Sequence, residues 1–495
     1  MRRFLSLILI CAAVLSLCAC GAAPSDGSAA AETTAAPTTN PAPTVEVVEG
    51  EPIAQLDDVS VYIPVTGAVR ELEELPAYPN ENGKYQGDKA GQYGLKTHTF
   101  KNTDAASFIT YLQVLEADGW AQYSNNIIEG TNLFATYTKD SRSLYCYYIS
   151  TRKQAYIVSS PNQNLEAREQ DNQYEAVCTP LLTQVKLLCK EYAGGMSYVI
   201  RLSDGRFLIV DGGFNEKDFY HAKELYALLA SQNVLEKITV AAWIITHPHG
   251  DHLGTTSDFL RTYDATQVDI QQLILNFPTD EDLSSADPEI LTHEHTSYYP
   301  TFKLVLKQVR PDLKITICHT GQEYYFADAK LEFLHTIEDY YPGSVVSLSS
   351  NNVNGASTIF TLEIAGQKTM FLGDCAEDES ASLVKMWGSY LKSDIMQAAH
   401  HCQRGGTVAL YEAIDPTVVL APLPSQSIVN RNILNYKATQ WLWNNVSGNI
   451  REIILSGWQQ RTLELPYTPD ENVEYFSNAT TDPWAGNEAA YKINP

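Results

Sequence analysis

The sequence is poor in positive charge. Lys and Arg number 34 against 59 Asp and Glu in 495 residues, which gives a formal net charge of −25. Because such a surface repels a phosphate backbone at long range, the overall charge disfavours a nucleic-acid partner, although a local basic groove could reverse that expectation. Hydrophobic residues make up 44%, enough to bury a core, and the length indicates two or three folded units.

Long apolar runs are also scarce. After Cys20 no stretch of the sequence is long and apolar enough to span a bilayer. The run from Phe4 to Ala19 follows the basic pair Arg2 and Arg3 and ends in small residues, as secretory signals do. Residues 1–19 are therefore predicted to be a signal peptide.

The end of this apolar run has a recognisable form. The segment Leu17-Cys18-Ala19-Cys20-Gly21 resembles the lipobox of bacterial lipoproteins. The resemblance implies cleavage before Cys20 and acylation of that residue, and several acyl chains on one residue anchor a protein stably. The alternative is a plain secretory signal with a coincidental cysteine. The expected location is the extracytoplasmic face of the cell membrane, with the lipid anchor as the contact to the bilayer.

Cysteine is too sparse and irregular for a disulfide framework. If Cys11 and Cys18 leave with the signal peptide and Cys20 is acylated, six of the nine cysteines remain. A large domain does not need cross-links to hold its core, so free, buried thiols are expected. The six are Cys146, Cys178, Cys189, Cys318, Cys375 and Cys402.

The remaining chain divides by composition. Residues 20–58 are rich in Ala, Thr and Pro and predict a flexible tether. Residues 60–165 predict a small α+β domain, with a helix over 105–117 and strands over 133–137, 144–150 and 154–159. Its tyrosines suit packing better than glycan or peptide binding. Residues 175–495 alternate strands and helices, which predicts an α/β unit. Since every candidate site residue lies in that unit, a chain starting near residue 170 is expected to stay active.

The strongest motif follows a predicted buried strand, Ile238 to Thr246. The segment from Thr246 to Gly254 reads THPHGDHLG, which has the form His-x-His-x-Asp-His. A turn there can direct two imidazoles at one metal and an Asp-His pair at a second. The sequence has only 11 His, so three of them within six residues indicate a selected motif. Imidazole and carboxylate ligands suit Zn²⁺, with Mn²⁺ or Fe²⁺ as alternatives.

Two further segments end predicted strands with ligand-type side chains. One is Phe371-Leu372-Gly373-Asp374, and the other is the run from Asp394 to His401, which ends in His400 and His401. Either alone would be weak, because a lone Asp is usually a turn residue and a His pair is often at the surface. Together with the first motif they predict one centre with two divalent metals.

Taken in order, these motifs resemble those of the metallo-β-lactamase superfamily. The first is the segment from Leu208 to Gly213, LIVDGG, and the resemblance covers about residues 180–465. It implies an α/β four-layer αββα sandwich, here preceded by the small α+β domain, with the metals at one edge between the two sheets. Within the superfamily the chain looks most like the ComEC-like competence hydrolase domains, which share an Asn-rich stretch such as Ser350 to Ser357, and like the phosphorylcholine esterases.

The resemblance implies roles for individual residues. His247 and His249 match the ligands of the first metal. Asp251 and His252 match those of the second metal, and Asp251 is also a candidate proton acceptor. These assignments leave the first metal without a third imidazole, for which His293-Glu294-His295 is a weak candidate.

Four more positions complete the implied site. Asp374 matches the bridging carboxylate. His400 or His401 matches the last imidazole ligand, and the other is expected to contact the substrate as part of the catalytic set. Asp211 is expected to hold the metal loop through hydrogen bonds. One departure is Cys402, which stands where the family pattern His-His-Gly-Ser has glycine.

The commonest chemistry of such a site is hydrolysis by a metal-activated water. A phosphodiester is the expected substrate, from a phosphocholine-type surface group or from nucleic acid, and the acidic net charge favours the smaller of these. The alternatives are an ester, lactone or β-lactam hydrolase at the same site, or a non-catalytic surface binding lipoprotein.

Overall fold

The computed structural model describes residues 75–79, 84–128, 132–187, 195–215, 221–286, 298–340, 353–423, 436–445, 449–456, 460–469 and 491–492. The predicted signal peptide, Cys20 and the predicted tether lie outside the described residues, as does the segment His293-Glu294-His295. Within the described ranges, no helix combines the length and apolar character that crossing a membrane requires.

The first part of the chain forms one antiparallel sheet and one helix. The sheet has six strands in the order β1-β2-β6-β5-β4-β3. The strands are β1 (Lys84–Ala90), β2 (Lys96–Lys101), β3 (Ala121–Ile128), β4 (Asn132–Lys139), β5 (Arg142–Ile149) and β6 (Gln154–Ser160). Helix α1 (Ala105–Ala117) has the predicted bounds; it begins after Asp104, whose side chain accepts a hydrogen bond from the Ser107 amide, and its Phe108 and Leu115 are buried against the sheet.

The rest of the chain is an αββα sandwich. Its strands, in chain order, are β7 (Leu181–Gln184), β8 (Tyr198–Arg201), β9 (Phe207–Val210), β10 (Ile238–Ile244), β11 (Val268–Ile270), β12 (Gln272–Leu275), β13 (Lys314–Ile317), β14 (Glu323–Phe326), β15 (Ala329–His335), β16 (Ile359–Ile364), β17 (Gln367–Phe371), β18 (Ile395–Gln397), β19 (Val418–Ala421), β20 (Glu452–Leu455), β21 (Arg461–Glu464) and β22 (Tyr491–Lys492). Its helices are α2 (His221–Gln232), α3 (Gly250–Thr262), α4 (Asp280–Ala286), α5 (Tyr298–Gln308), α6 (Glu377–Trp387), α7 (Val408–Ile414) and α8 (Lys437–Asn444).

These strands make two eight-stranded sheets. The first has the order β13-β12-β10-β9-β8-β7-β21, with β11 also paired to β10, and the second has the order β14-β15-β16-β17-β18-β19-β20-β22. Strands β9, β10, β12 and β13 run parallel, and so do β17, β18, β19 and β20. Because the carboxyl ends of parallel strands meet at one edge of a sheet, residues that follow them can converge there.

The side-chain alternation of the strands explains the layers. In β9 and β10, Leu208 and Ala242 belong to the apolar core between the two sheets, whereas Ile209 and Trp243 belong to the core that includes helices α2 and α3. A strand buried on both faces in this way carries a near-continuous apolar run. The αββα architecture predicted from the sequence is therefore confirmed.

The two parts of the chain also share a packed junction. The Phe134 ring of β4 stacks on the Trp387 ring of α6, with centroids 5.7 Å apart. The side-chain amide of Asn132 donates a 2.8 Å hydrogen bond to the Met386 carbonyl. One buried apolar cluster also contains residues of both parts. The first sheet is thus built into the hydrophobic core of the sandwich.

Candidate metal centre

The His-x-His-x-Asp-His segment lies where parallel strand β10 ends. His247 follows that strand in the loop before α3, and His249 is the N-cap residue of the helix. Asp251 and His252 lie in its first turn. All four of these side chains are buried.

The second sheet contributes the rest of the cluster from the same edge. Asp374 follows β17, and the turn Ala399–Cys402 follows β18. The backbone joins these two loops, because the His400 amide donates a 3.1 Å hydrogen bond to the Gly373 carbonyl. The structure therefore brings together ligand-type residues that are up to 154 positions apart, from His247 to His401.

The side chains fall into two groups that share one carboxylate. Asp251, His252, Asp374 and His401 form one group, and His247, His249 and Asp374 form the other. Within each group, one potential ligand atom from every residue lies within 4.8 Å of the others. Asp374 is the one residue that belongs to both groups, so its carboxylate would be shared if each group held an ion.

The distances at Asp374 show how closely the groups adjoin. Its Oδ1 lies 3.2 Å from Nε2 of His252, and its Oδ2 lies 3.3 Å from Nε2 of His401. Oδ2 is also 3.9 Å from Nε2 of His247. The other carboxylate, Asp251, has its Oδ2 3.2 Å from Nε2 of His401.

The donor atoms fit divalent metals. Five of them are buried and, within the described part of the chain, have no hydrogen-bond partner: Nε2 of His247, Oδ1 of Asp251, Nε2 of His252, Oδ1 of Asp374 and Nε2 of His401. Leaving a buried polar atom unsatisfied costs about 1–3 kcal/mol, and a divalent ion would give these atoms a common partner. Imidazole and carboxylate donors are those that Zn²⁺, Mn²⁺ and Fe²⁺ accept.

The two cysteines that are close in sequence to these ligands are packing residues and belong to neither ligand group. Neither group contains a cysteine. Cys375 and Cys402 are free and buried, and burial raises the pKa of both thiols. They therefore pack as neutral thiols, as expected from the sequence.

Asp211 supports the metal loop from behind. Its fully buried carboxylate accepts hydrogen bonds from the Thr246 amide (2.8 Å), the Thr246 hydroxyl (2.8 Å) and Nδ1 of His252 (2.7 Å). A carboxylate bound to Nδ1 fixes the ring of His252 with Nε2 directed at the centre. These are the contacts expected of a residue that holds the loop in place.

Ser357 is a supporting residue that sequence reasoning missed. Its hydroxyl accepts a 3.0 Å hydrogen bond from the Asp374 amide and lies 3.3 Å from Nδ1 of His247. Gly373 makes this approach possible, because a Cβ atom there would lie 2.9 Å from the Ser357 hydroxyl and 3.1 Å from the Thr246 Cβ. Only the place of Ser357 at the end of the Asn-rich stretch could have indicated the role.

Gln397 was also missed. Its side chain is fully buried in β18. The amide oxygen accepts from the Leu372 amide (2.7 Å), and the amide nitrogen donates to the Gly373 carbonyl (3.0 Å). Gln397 thus joins the loop that carries Asp374 to the strand that precedes His401. A single amide within the apolar run Ile395 to Ala399 was the available signal.

The structure distinguishes the two histidines that the sequence left open. His401 is 2% exposed and belongs to a ligand group. The His400 side chain is 23% exposed, with Nε2 3.7 Å from Oδ2 of Asp374, and belongs to neither group. His400, His401 and Cys402 all have positive φ angles, between 49° and 56°, so Cys402 adopts the left-handed conformation that glycine takes most easily.

Electrostatics hold the carboxylates ionised. Burial would raise the pKa of Asp374, but the imidazoles of His401 and His252 lower it well below its ordinary value. Burial would likewise lower the pKa of His401, but the nearby Asp374 and Asp251 carboxylates raise it to about 9. In the metal-free protein, protons on His401 and His252, whose pKa is also raised, balance the two carboxylates.

We expect metal binding to weaken as the pH falls. A protonated imidazole cannot coordinate a metal, so His401 must release its proton. Below the His401 pKa of about 9, each unit by which the pH falls should weaken the apparent affinity for metal about tenfold per proton released. Zn²⁺ titrations against a competing chelator between pH 6 and 9 measure this slope, and an affinity independent of pH would contradict it.

The proton on His401 also makes the stability of the metal-free protein depend on pH, but this stability falls as the pH rises, whereas metal affinity increases. Because the pKa of His401 is raised from 6.5 to about 9, its contribution is complete below pH 6.5 and is lost as the pH rises through 9. Thermal unfolding of the chelated protein should therefore occur at lower temperature at pH 9 than at pH 6.5. Greater stability at pH 9 would show that His401 carries no proton in the folded metal-free state.

Comparison with known proteins agrees with this geometry. Residues 193–376 match the family model of the metallo-β-lactamase superfamily, a range that contains both groups except His401. No curated protein sequence matches significantly.

The similar solved structures are distant. CmlA, a diiron β-hydroxylase from Streptomyces venezuelae, is 12% identical with a TM-score of 0.33, over 58% of this chain and 54% of CmlA. The metallo-β-lactamase-fold protein YhfI from Bacillus subtilis is 12% identical with a TM-score of 0.30, over 52% of this chain and 93% of YhfI. The chain thus spans about half the length of CmlA. Residues 193–376, which lie within the αββα sandwich, are thus similar to the metallo-β-lactamase superfamily.

Proposed function

We propose that the protein is an extracytoplasmic metal-dependent phosphodiester hydrolase. The observation that carries the proposal is the pair of ligand groups joined by Asp374 alone. A shared carboxylate would hold two ions close together, and two-metal sites of that kind suit the in-line displacement at a phosphorus centre. When bound, the two divalent metals supply the Lewis acidity that activates water and stabilises the departing oxygen.

The protein's own residues then have distinct tasks. His247, His249 and Asp374 would hold the first ion, with coordination positions left open, since that group contains three side chains. Asp251, His252, Asp374 and His401 would hold the second ion. The smaller group offers three side chains, so an ion held there would be the one with more positions for water and for a substrate oxygen.

Asp251 remains the candidate proton acceptor. Burial would raise the pKa of Asp251, but the imidazoles of His252 and His401 lower it well below its ordinary value. The carboxylate is therefore ionised at neutral pH and able to accept a hydrogen bond from water.

The overall charge supports a small substrate. A net charge of −25 repels a long polyanion more strongly than a single phosphodiester group. A phosphocholine-type ester carries a cationic group beside its phosphate, so an acidic protein surface attracts that part of it. The proposal therefore ranks such a surface substrate above nucleic acid.

A substrate panel tests this proposal. Purified protein loaded with Zn²⁺ or Mn²⁺ should hydrolyse bis-p-nitrophenyl phosphate or p-nitrophenyl phosphorylcholine faster than single-stranded DNA or nitrocefin. Chelation should abolish the activity, and adding metal back should restore it. Turnover of nitrocefin or carboxylic esters alone would replace the phosphodiester proposal with the ester or lactam alternative. Full metal content with no turnover of any substrate would favour a non-catalytic binding protein.

The membrane location is proposed on the Cys20 motif. If Cys20 is the acylated residue, Cys20→Ala should leave the protein unprocessed or free of the membrane, because no other lipid anchor is expected. Fractionation and N-terminal sequencing of both proteins measure this. A Cys20→Ala protein that is cleaved normally and remains in the membrane fraction would exclude acylation at Cys20.

A further inference from the structure

One imidazole near the centre is held by contacts of its own. Nε2 of His400 lies 3.7 Å from Oδ2 of Asp374, yet His400 belongs to neither ligand group. Its Nδ1–H donates to the Arg404 carbonyl, so Nε2 carries a lone pair and no hydrogen in the neutral ring. In that form His400 accepts hydrogen bonds on the side that faces the centre.

The group that uses this lone pair is Asn354. Its side-chain amide donates a 3.1 Å hydrogen bond from Nδ2 to Nε2 of His400. Asn354 is only 6% exposed, and its Oδ1 is buried with no hydrogen-bond partner in the described ranges. A buried amide with an unsatisfied oxygen is costly, and the imidazole that accepts from this amide lies 3.7 Å from Oδ2 of Asp374.

The contact between Asn354 and His400 fixes the direction of the amide. An NH₂ group has two hydrogens, and His400 accepts one of them. The second has no acceptor among the described contacts of Asn354. A donor fixed in advance, beside a centre where negative charge develops on phosphoryl oxygens, stabilises the transition state without reorganisation.

We propose that Asn354 donates a hydrogen bond to a phosphoryl oxygen of the substrate in the transition state and that His400 positions Asn354 for this role. The inference rests on the proposed phosphodiester hydrolysis. It differs from the expectation that whichever histidine of the pair is not a ligand contacts the substrate itself: in this proposal His400 acts through the amide of Asn354, and neither side chain holds a metal.

Kinetics and metal content test the proposal together. Asn354→Ala should keep both metal ions by elemental analysis and lower kcat on bis-p-nitrophenyl phosphate about 100- to 1000-fold, with little change in KM. His400→Ala should also keep both ions and lower kcat. Because His400 acts through Asn354, the double variant should be no slower than Asn354→Ala alone. Asn445→Ala, which removes an amide bonded to the Trp441 carbonyl, is the control for loss of an asparagine and should retain full activity.

Binding of two anions gives a readout that does not depend on turnover. Orthovanadate resembles the phosphoryl transition state, whereas inorganic phosphate resembles the ground state. Calorimetry on metal-loaded protein should show that Asn354→Ala weakens vanadate binding at least about tenfold more than phosphate binding.

Several results would overturn the inference. Loss of a metal ion in His400→Ala would make His400 a ligand, and multiplicative losses of kcat in the double variant would make the two residues independent. Unchanged vanadate affinity in Asn354→Ala would remove Asn354 from the transition state. If the wild-type protein binds vanadate and cleaves phosphodiesters, and Asn354→Ala behaves identically, only this inference is refuted. A loaded wild-type protein that does neither refutes the proposed function as well.

Discussion

Replacing Asp374 with asparagine is expected to abolish the binding of both metal ions and to lower hydrolysis by more than about a thousandfold. Its carboxylate is the one side chain shared by the two ligand groups. Without that negative charge, two divalent cations would lie close together with less to screen their repulsion. The expected result is a folded protein with little or no metal. Elemental analysis and turnover of bis-p-nitrophenyl phosphate measure it.

Variants of residues that belong to just one of the two ligand groups provide the comparison for Asp374→Asn. His249→Ala should lose the ion of the three-residue group and keep the other, and His252→Ala should do the reverse. Asp415→Asn removes a surface carboxylate paired with Lys392 and should retain both ions. If Asp374→Asn keeps two ions and full activity, the bridged two-metal arrangement is wrong. If it keeps one ion, the two groups are independent and Asp374 serves only one of them.

The parts of the fold that sequence patterns predicted have a common physical basis. Strand β10 is buried on both faces, so its residues form the continuous apolar run from Ile238 that is visible in the sequence. The ligand motif comes immediately after this strand in the sequence. The carboxyl end of a buried parallel strand is rigid, so it can position the loop that follows. Helix α1 carries an equally local signal in its Asp104 cap.

The missed parts depend on partners that are distant in sequence. Strand β3 has alternating exposed and half-buried residues such as Gln122 and Ser124, and its pairing with β4 compensates for weak strand propensity. Ser357 and Gln397 acquire their roles only when two loops meet at Gly373. The choice between His400 and His401 depends on ring direction in a left-handed turn, which residue spacing does not encode.

The junction between the first sheet and the sandwich also changes an expectation. The sequence suggested that a chain starting near residue 170 would keep its activity, since all candidate ligands lie beyond it. The structure argues against this, because Phe134 stacks on Trp387 and Tyr145 stacks on His319 with ring centroids 3.9 Å apart. Removing the first sheet would expose both partners together with the adjoining apolar cluster. We therefore expect the shortened chain to aggregate.

A single substitution tests the junction without removing any of the chain. Phe134→Ala should lower the free energy of unfolding by about 3–5 kcal/mol, as expected for truncation of a buried aromatic ring, because Phe134 is 5% exposed and fills the space above Gly321. A Cβ atom at Gly321 would lie 1.8 Å from the Phe134 ring, so Gly321→Val should destabilise the same contact from the opposite side.

Metal stoichiometry and turnover per folded molecule should stay at the wild-type level in both junction variants, because neither residue belongs to a ligand group. Ile127→Ala, in the same sheet but 67% exposed, is the matched control and should change the free energy of unfolding by less than about 0.5 kcal/mol. Denaturant unfolding of the four proteins gives the comparison.

If Phe134→Ala unfolds like the control, and the shortened chain is soluble and active, the first sheet is an independent module and the shared core contributes little to stability. If Phe134→Ala instead loses metal while remaining fully folded, the junction controls the centre through the loop that contains Gly321.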